Sequence, residues 1–324
     1  MTLDELGWGP HFAAAFAPFR RRGLVPARVS TQHRGGFELL TEEGEPPAKP
    51  AGTLGELPAV GDWVAAAAVP GEAKAIIEAV LPRRTAFTRR DPWSDTEEVV
   101  AANVDTVFVV TALGRDFNAR RLERYLAAAH ESGADPVVLL NKADLEPDLA
   151  ETTLAEAHAT APGVPVHLIS AKAGDGLAEL DDYLVVGRTV ALLGSSGVGK
   201  STLANRLAGS NLLATASVRD DERGRHTTTR RQLVLLPRGG LLLDTPGLRE
   251  LQLSGADLGG TFPEIAALAQ KCRFRDCSHT HEPGCAVRAA AEAGEIPRER
   301  YDSYLKLAAE LADLDERQRR SGWR

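Results

Sequence analysis

The segment Gly194-Ser195-Ser196-Gly197-Val198-Gly199-Lys200-Ser201-Thr202 follows an apolar run, Val190 to Leu193, and opens a stretch with helical spacing, Lys200 to Ala208. A strand that ends in G-x-x-x-x-G-K-[ST] and passes directly into a helix is the wiring of a phosphate-binding loop. Its glycines let backbone N–H groups turn inward around phosphate oxygens. Lys200 reaches the β- and γ-phosphates, and the Ser201 hydroxyl is placed to bind Mg2+. An ordinary glycine-rich turn is the plainer reading of such a segment, and the spacing and the strand-before, helix-after context argue against it.

The surrounding chain supports a parallel sheet with crossover helices. Apolar strand runs at Thr106 to Thr111, Val137 to Leu140, Val166 to Ile169, Val190 to Leu193, Gln232 to Leu236 and Leu241 to Leu243 alternate with helical stretches. Those stretches are Ala119 to Glu131, Leu149 to Ala159, Leu177 to Leu184 and Lys200 to Ala208. After Ser254 the strand signals stop, and an Ala/Glu/Arg-rich helix is expected from Arg298 to Arg320.

Three further motifs stand at strand ends. Asp244-Thr245-Pro246-Gly247 follows Leu241 to Leu243, so Asp244 becomes a water-mediated partner of Mg2+ and the Gly247 N–H can meet the γ-phosphate. On its own this would read as a solvated Asp before a Pro-Gly turn. Asn141-Lys142-Ala143-Asp144 addresses the base: a carboxylate at Asp144 accepts from N1–H and the exocyclic amine of guanine, a donor pair that adenine lacks. Lys142 can lie along the ring, and Asn141 can tie this loop to the phosphate loop. Ser170-Ala171-Lys172 would bring a backbone N–H to guanine O6. Each short motif is weak alone, and together they select GTP over ATP.

Their order is unusual. Most GTPases begin with the phosphate loop and end with the guanine loops, whereas here Asn141 to Asp144 and Ser170 to Lys172 come first and Asp244 to Gly247 last. This is a circular permutation, and it leads the Asp244 loop straight into the C-terminal region. Between the phosphate loop and Asp244 runs Arg223-Gly224-Arg225-His226-Thr227-Thr228-Thr229-Arg230-Arg231, where a first switch belongs. Thr228 or its neighbour Thr227 can ligate Mg2+ in the GTP state. Leu248 stands where many GTPases carry a water-orienting glutamine, which leaves His226 as the candidate catalytic helper. A solvated turn is the simpler reading of the arginines, and contact with a partner is the simpler reading of the histidine.

All three cysteines fall in Cys272-x4-Cys277-x-His279-x5-Cys285. Three thiolates and one imidazole make a closed tetrahedral shell, the structural type of zinc site, although His281 competes with His279 for the fourth place. Buried free cysteines are the alternative. Lys271, Arg273 and Arg275 form a basic patch beside the cluster. The first quarter holds short strands at Leu24 to Val29, Phe37 to Leu40, Asp62 to Ala68 and Ala75 to Val80, with a Pro/Gly-rich stretch from Gly44 to Gly61. A small β-barrel of OB or SH3-like type fits.

With 38 basic and 45 acidic side chains the formal charge is −7, so composition excludes wholesale electrostatic binding of nucleic acid and leaves only local patches. No run approaches the roughly 18 residues of a membrane-spanning helix, and Met1 to Arg22 lacks the pattern of a secretory signal. A cytoplasmic, monomeric protein without a membrane partner is expected.

The constellation resembles the ribosome small subunit-dependent GTPase A family, the circularly permuted GTPases of 30S assembly. The resemblance runs from Val60-Gly61-Asp62-Trp63-Val64 and Ala102-Asn103-Val104-Asp105 through both guanine loops, the phosphate loop, Gly224 to Thr229 and the cysteine cluster. It implies an OB barrel over residues 1–88, a permuted α/β GTPase domain over 89–252 and a helical zinc-binding domain over 253–324. It favours Cys272, Cys277, His279 and Cys285 as the zinc ligands. It equates His226 with the family's switch histidine and places an apolar residue at Leu248. The implied function is GTP hydrolysis stimulated by the 30S subunit, late in its maturation, with release of other assembly factors and of the enzyme itself. Contact with 16S rRNA is also implied. It would rest on a few arginines of the barrel region, Arg20 to Arg22, Arg28, Arg34, Arg83 and Arg84.

Overall fold

A computed structural model describes residues 1–33, 35–90, 97–209, 231–244 and 257–321. Strands β1 (Val25–His33), β2 (Gly36–Leu40), β3 (Pro47–Pro50), β4 (Trp63–Ala68) and β5 (Ala75–Val80) close on themselves in the order β1-β2-β3-β5-β4-β1. Only β3 and β5 run parallel. This is a five-stranded OB-type barrel. Alternate residues fill it, among them Ala27, Val29, Phe37, Leu39, Val64, Ala66 and Ile77. Strand β3 lies inside the stretch whose prolines and glycines read as a loop. Its two prolines stand at the strand's ends, where a missing N–H disturbs the ladder least.

Helix α1 (Pro10–Arg20) opens on one proline and contains another, Pro18, so its sequence does not announce a helix. It is held by tertiary contact: Phe12 and Phe16, one turn apart, are buried, and Phe12 packs 5.8 Å from the Trp63 ring. Strands β6 (Ala86–Arg90) and β7 (Glu97–Ala102) form a separate antiparallel hairpin, and the 88/89 boundary expected from sequence falls within β6.

The central sheet has the order β10-β9-β8-β11-β13-β12, with β8 (Thr106–Ala112), β9 (Asp135–Asn141), β10 (Val166–Leu168), β11 (Thr189–Leu193), β12 (Arg231–Leu235) and β13 (Leu241–Asp244). All pairs are parallel except β12 with β13. Val107, Val109, Ala191 and Leu193 enter the core on one face, while Phe108, Val110, Val190 and Leu192 enter the core on the other. That two-sided burial explains the continuous apolar runs. The chain winds outward through β8, β9 and β10 and then returns to lay β11 beside β8. This creates a crevice at the carboxyl ends of the strands, where open parallel sheets bind ligands. Helix α2 (Ala119–Ser132) follows β8, α3 (Ala150–Thr160) follows β9, and α4 (Lys200–Ala208) follows β11. The expected helix at 177–184 is a 3-10 helix, Leu177–Tyr183.

The C-terminal unit comprises α5 (Leu258–Thr261), α6 (Pro263–Ala269), α7 (Ala286–Glu292) and α8 (Arg298–Ser321). Phe262, Ile265, Val287 and Tyr301 form its core, together with Ala127 of α2. Among the described residues no helix is long and apolar enough to cross a membrane.

Barrel and central sheet are joined twice. Strand β1 pairs with β12 at Thr31↔Gln232 and Gln32↔Arg231, making one continuous sheet. Beside that seam, the buried Arg28 donates to the carbonyls of Leu6, Gly61 (3.2 Å) and Asn103 (3.0 Å) and to Thr189 Oγ1 (2.8 Å). Gly61 has φ +91°, and a Cβ there would sit 2.1 Å from the Ala102 carbonyl, so only glycine fits. Arg28→Leu leaves three buried acceptors without a donor. It is expected to cost about 3 kcal/mol or more, read as a lowered thermal midpoint. An unchanged midpoint would show that the guanidinium does not hold the junction.

Candidate functional site

Every nucleotide motif with described residues lies at the carboxyl edge of the central sheet. Strand β11 ends at Leu193, the loop Gly194 to Gly199 follows, and α4 begins at Lys200. Lys200 is buried, and its Nζ folds back over the loop to donate to the carbonyls of Gly194 (2.6 Å) and Ser195. Gly199 has φ +101°, and a Cβ would stand 2.3 Å from Asn141 Nδ2, so the loop's last glycine is also where another loop approaches. A helix leaves its first N–H groups without intrahelical partners, and α4 begins at this loop, an arrangement suited to an anion.

Asn141 is the hub. Buried at the end of β9, it donates from Nδ2 to the Val198 carbonyl in the phosphate loop (2.7 Å) and accepts at Oδ1 from the Ala171 N–H (2.9 Å). One amide thereby joins Asn141 to Asp144, Ser170 to Lys172 and Gly194 to Thr202, three segments far apart in sequence. Asp144 accepts at Oδ1 from the hydroxyl of the fully buried Ser170 (2.6 Å), which fixes the carboxylate's direction. Lys142 adopts φ +64°, and its Nζ stands 3.5 Å from Asp116. Ala143 N–H donates to the Ile169 carbonyl (3.1 Å), and Arg206 of α4 reaches the carbonyl of Ala173 (3.1 Å). Ser201 and Thr202 occupy the first turn of α4, and Asp244 ends β13, two strands' width from the end of β8. His226, Thr227, Thr228, Gly247, Leu248 and the barrel's Arg34 lie outside the described residues, as does the expected boundary at 252/253.

Two residues that sequence reasoning passed over also touch the phosphate loop. Arg121 Nη1 donates to Ser195 Oγ (2.9 Å), and the Tyr125 hydroxyl is 3.3 Å from the same atom. Their i, i+4 spacing on the helix that follows β8 is the signal by which they could have been found. The motifs Val60 to Val64 and Ala102 to Asp105 also acquire a place, since they build the barrel junction rather than the nucleotide site. Asn103 Nδ2 donates to the Gly61 carbonyl (3.1 Å), and Asp105 accepts from the Thr189 N–H (2.8 Å).

In the C-terminal unit the ligand atoms of Cys272, Cys277, His279 and Cys285 all lie within 4.8 Å of one another. His279 Nδ1 is 3.6 Å from Cys272 Sγ and 3.5 Å from Cys285 Sγ, and those two sulfurs are 3.9 Å apart. Ligands at Zn–S of about 2.3 Å and Zn–N of about 2.0 Å on a tetrahedron are separated by about 3.5 to 3.8 Å, so the group fits zinc. His279 rather than His281 faces the cluster. Its φ of +62° and the hydrogen bond from the Tyr301 hydroxyl to its carbonyl set that direction. Burial and the neighbouring Cys285 and Cys272 thiols push Cys277 up to about 12. Thiols packed this closely resist ionising together, and a dication is what would stabilise all three as thiolates.

The RsgA GTPase family model matches residues 80–254. A protein of Opitutus terrae named small ribosomal subunit biogenesis GTPase RsgA is 53% identical over 96% of this chain and 90% of its own length. A Syntrophotalea carbinolica protein of the same name is 45% identical over 96% and 90%. Among solved structures, YjeQ from Thermotoga maritima superposes with a TM-score of 0.66 at 30% identity, covering 89% of this chain and 99% of that one. YloQ, described as a circularly permuted GTPase, gives 0.66 at 25% identity over 90% and 96%.

The metal assignment makes a direct prediction. Purified protein is expected to carry one equivalent of zinc by elemental analysis, and Cys277→Ser to lose most of it and to melt the C-terminal helices. Full retention of zinc in Cys277→Ser would remove that residue from the ligand set.

Proposed function

The chain belongs to the RsgA GTPase family, and from that premise we propose that it hydrolyses GTP on the small ribosomal subunit and acts in biogenesis of that subunit. The observation that carries the nucleotide half of this reading is Asn141, whose single amide draws the two guanine loops and the phosphate loop into one site. The curated relatives' names carry the ribosomal half.

In this reading the backbone from Gly194 to Lys200 cradles the β-phosphate, and Lys200 turns from the loop carbonyls to the β- and γ-phosphates. Mg2+, bound with GTP, offsets charge on the phosphates during transfer. Ser201 and Thr228 would hold it, with Asp244 acting through water. Asp144, already oriented by Ser170, accepts from the guanine edge; Lys142 lies along the ring, and a backbone N–H of the Ser170 to Lys172 loop supplies the contact to O6. Gly247 meets the γ-phosphate. His226 takes the water-ordering role for which Leu248 has no chemistry. Zinc held by Cys272, Cys277, His279 and Cys285 supports the fold of the C-terminal unit and leaves no open coordination position. We further propose that 16S rRNA is contacted by exposed arginines of the barrel region such as Arg20 to Arg22 and Arg84, Arg28 being removed from the expected set because it is buried in the junction; that hydrolysis times the departure of the protein and of other assembly factors; and that the chain works as a cytoplasmic monomer divided near residues 88 and 252.

The experiment is steady-state hydrolysis of GTP and ATP by the zinc-loaded protein, alone and with purified small or large subunits. Acceleration of GTP turnover by the small subunit alone is expected, and equal turnover with and without subunits would leave a guanine-nucleotide sensor. Lys200→Ala is expected to lower GTP turnover at least a hundredfold. In Asp144→Asn an amide donor replaces part of the acceptor, so the preference for GTP over ATP should collapse by at least tenfold. His226→Ala is expected to lower kcat while leaving KM within about twofold, the pattern of a group that acts in the transition state.

A further inference from the structure

Helix α2 has three differently occupied sides. At about 100° per residue, Arg121 and Tyr125 share one side, Leu122, Leu126 and Ala129 a second, and Glu123, Ala127 and His130 a third. The first side holds Ser195 of the phosphate loop. The second is buried under the central sheet. The third meets the zinc-bearing unit: Ala127 lies in its core, and His130 is packed against Gly260.

The third contact is strongly built. Glu123 is buried, accepts from Arg300 Nη1 (3.2 Å) and receives the Ser303 hydroxyl, both from α8. Arg300 is itself buried. It donates further to the carbonyls of Thr160 at the end of α3 (2.9 Å) and Thr261 (2.8 Å) and to Glu264, with its guanidinium 4.7 Å from the Phe262 ring. Each polar atom of this group is matched, so α8 cannot shift against α2 without stranding a charge. The start of the helix is fixed to the nucleotide site as well: Asn118 caps it by accepting from the Arg121 N–H (2.9 Å), and Asp116 pairs with Lys142.

We propose that α2 is the mechanical link between the nucleotide site and the zinc-bearing unit, with Arg121 as the positioning residue at the phosphate-loop end and the Glu123–Arg300 pair as the grip at the other. The link rests on the nucleotide-site reading given above. The exposed guanidinium of Arg121 hangs on one hydroxyl of the loop that receives the phosphates. Their arrival changes both the charge and the set of acceptors around it. The grip at Glu123 passes the resulting bias of the helix to α5, α6 and α8. Because coupling between two sites is reciprocal, docking of the zinc-bearing unit on a partner then alters nucleotide affinity by the same factor.

The test is amide hydrogen exchange on the full-length, zinc-loaded protein, without nucleotide and saturated with GDP, with GDP affinity measured separately by titration. In the wild type, GDP is expected to slow exchange at least threefold in residues 258–269 and 298–311, far from the nucleotide. Arg121→Ala changes an exposed residue and should fold. Saturated with GDP, it should lose that distant protection while the phosphate loop stays protected; Arg121→Lys should recover part of it, and Glu123→Gln should lose it too. A merely structural role for Arg121 would alter exchange equally with and without GDP. GDP binding with no distant protection in the wild type, or protection retained in Arg121→Ala, overturns the link alone. Absence of GDP binding overturns the nucleotide-site reading and the link with it.

Discussion

The arrangement depends on one buried charge. Arg28 leaves the barrel wall and ends among carbonyls contributed by the N-terminal segment, by the Gly61 turn and by Asn103, with Thr189 as its fourth acceptor. Burial lowers it to about 10, with Asp105 acting in the opposite direction, so it is still a cation at neutral pH. A buried cation is tolerated only when its donors are matched, and these acceptors belong to four separate segments. Thr189 opens β11, whose other end is the phosphate loop. The barrel is therefore fastened to the strand that presents the phosphate-binding loop.

The second junction follows the same rule with a different arginine. Arg300 reads carbonyls at the end of α3 and at Thr261 and completes its set with two carboxylates. Arg28 binds mostly main chain, and Arg300 binds two carbonyls beside its two carboxylates, which ties the geometry of each junction to backbone position. Charge alone would have been satisfied by surface pairs such as Arg124 with Glu310, which contribute little.

The site was more legible than the junctions. Residues 194–202 carry their meaning locally, because a glycine-lysine-serine order after a strand has few other uses. The cysteine cluster declares itself by spacing, and the choice of His279 over His281 took the backbone conformation at 279 to settle. The strands of the central sheet were readable because burial on both faces makes them apolar throughout. Helix α1 was not, since its stability comes from tertiary packing such as Phe12 meeting Trp63, a contact between segments some fifty residues apart. Strand β3 was hidden by prolines that signal loops everywhere except at strand ends. Nothing in the sequence around Arg28 or Arg300 distinguishes a buried arginine from a solvated one, because its acceptors are carbonyls that every residue possesses.

The pairing of β1 with β12 and the bond from Arg28 to Thr189 also set a schedule. The barrel's last strand ends at Val80, yet Thr189 lies 109 residues further on. At about 5 to 20 residues per second of synthesis, the barrel waits roughly 5 to 22 seconds for the acceptor that completes its junction. It waits longer still for the strand that covers the β1 edge at Thr31 and Gln32. During that interval the nascent chain carries a closed barrel whose buried arginine lacks its last acceptor and an open strand edge, the combination that co-translational chaperones and early misassembly both act upon.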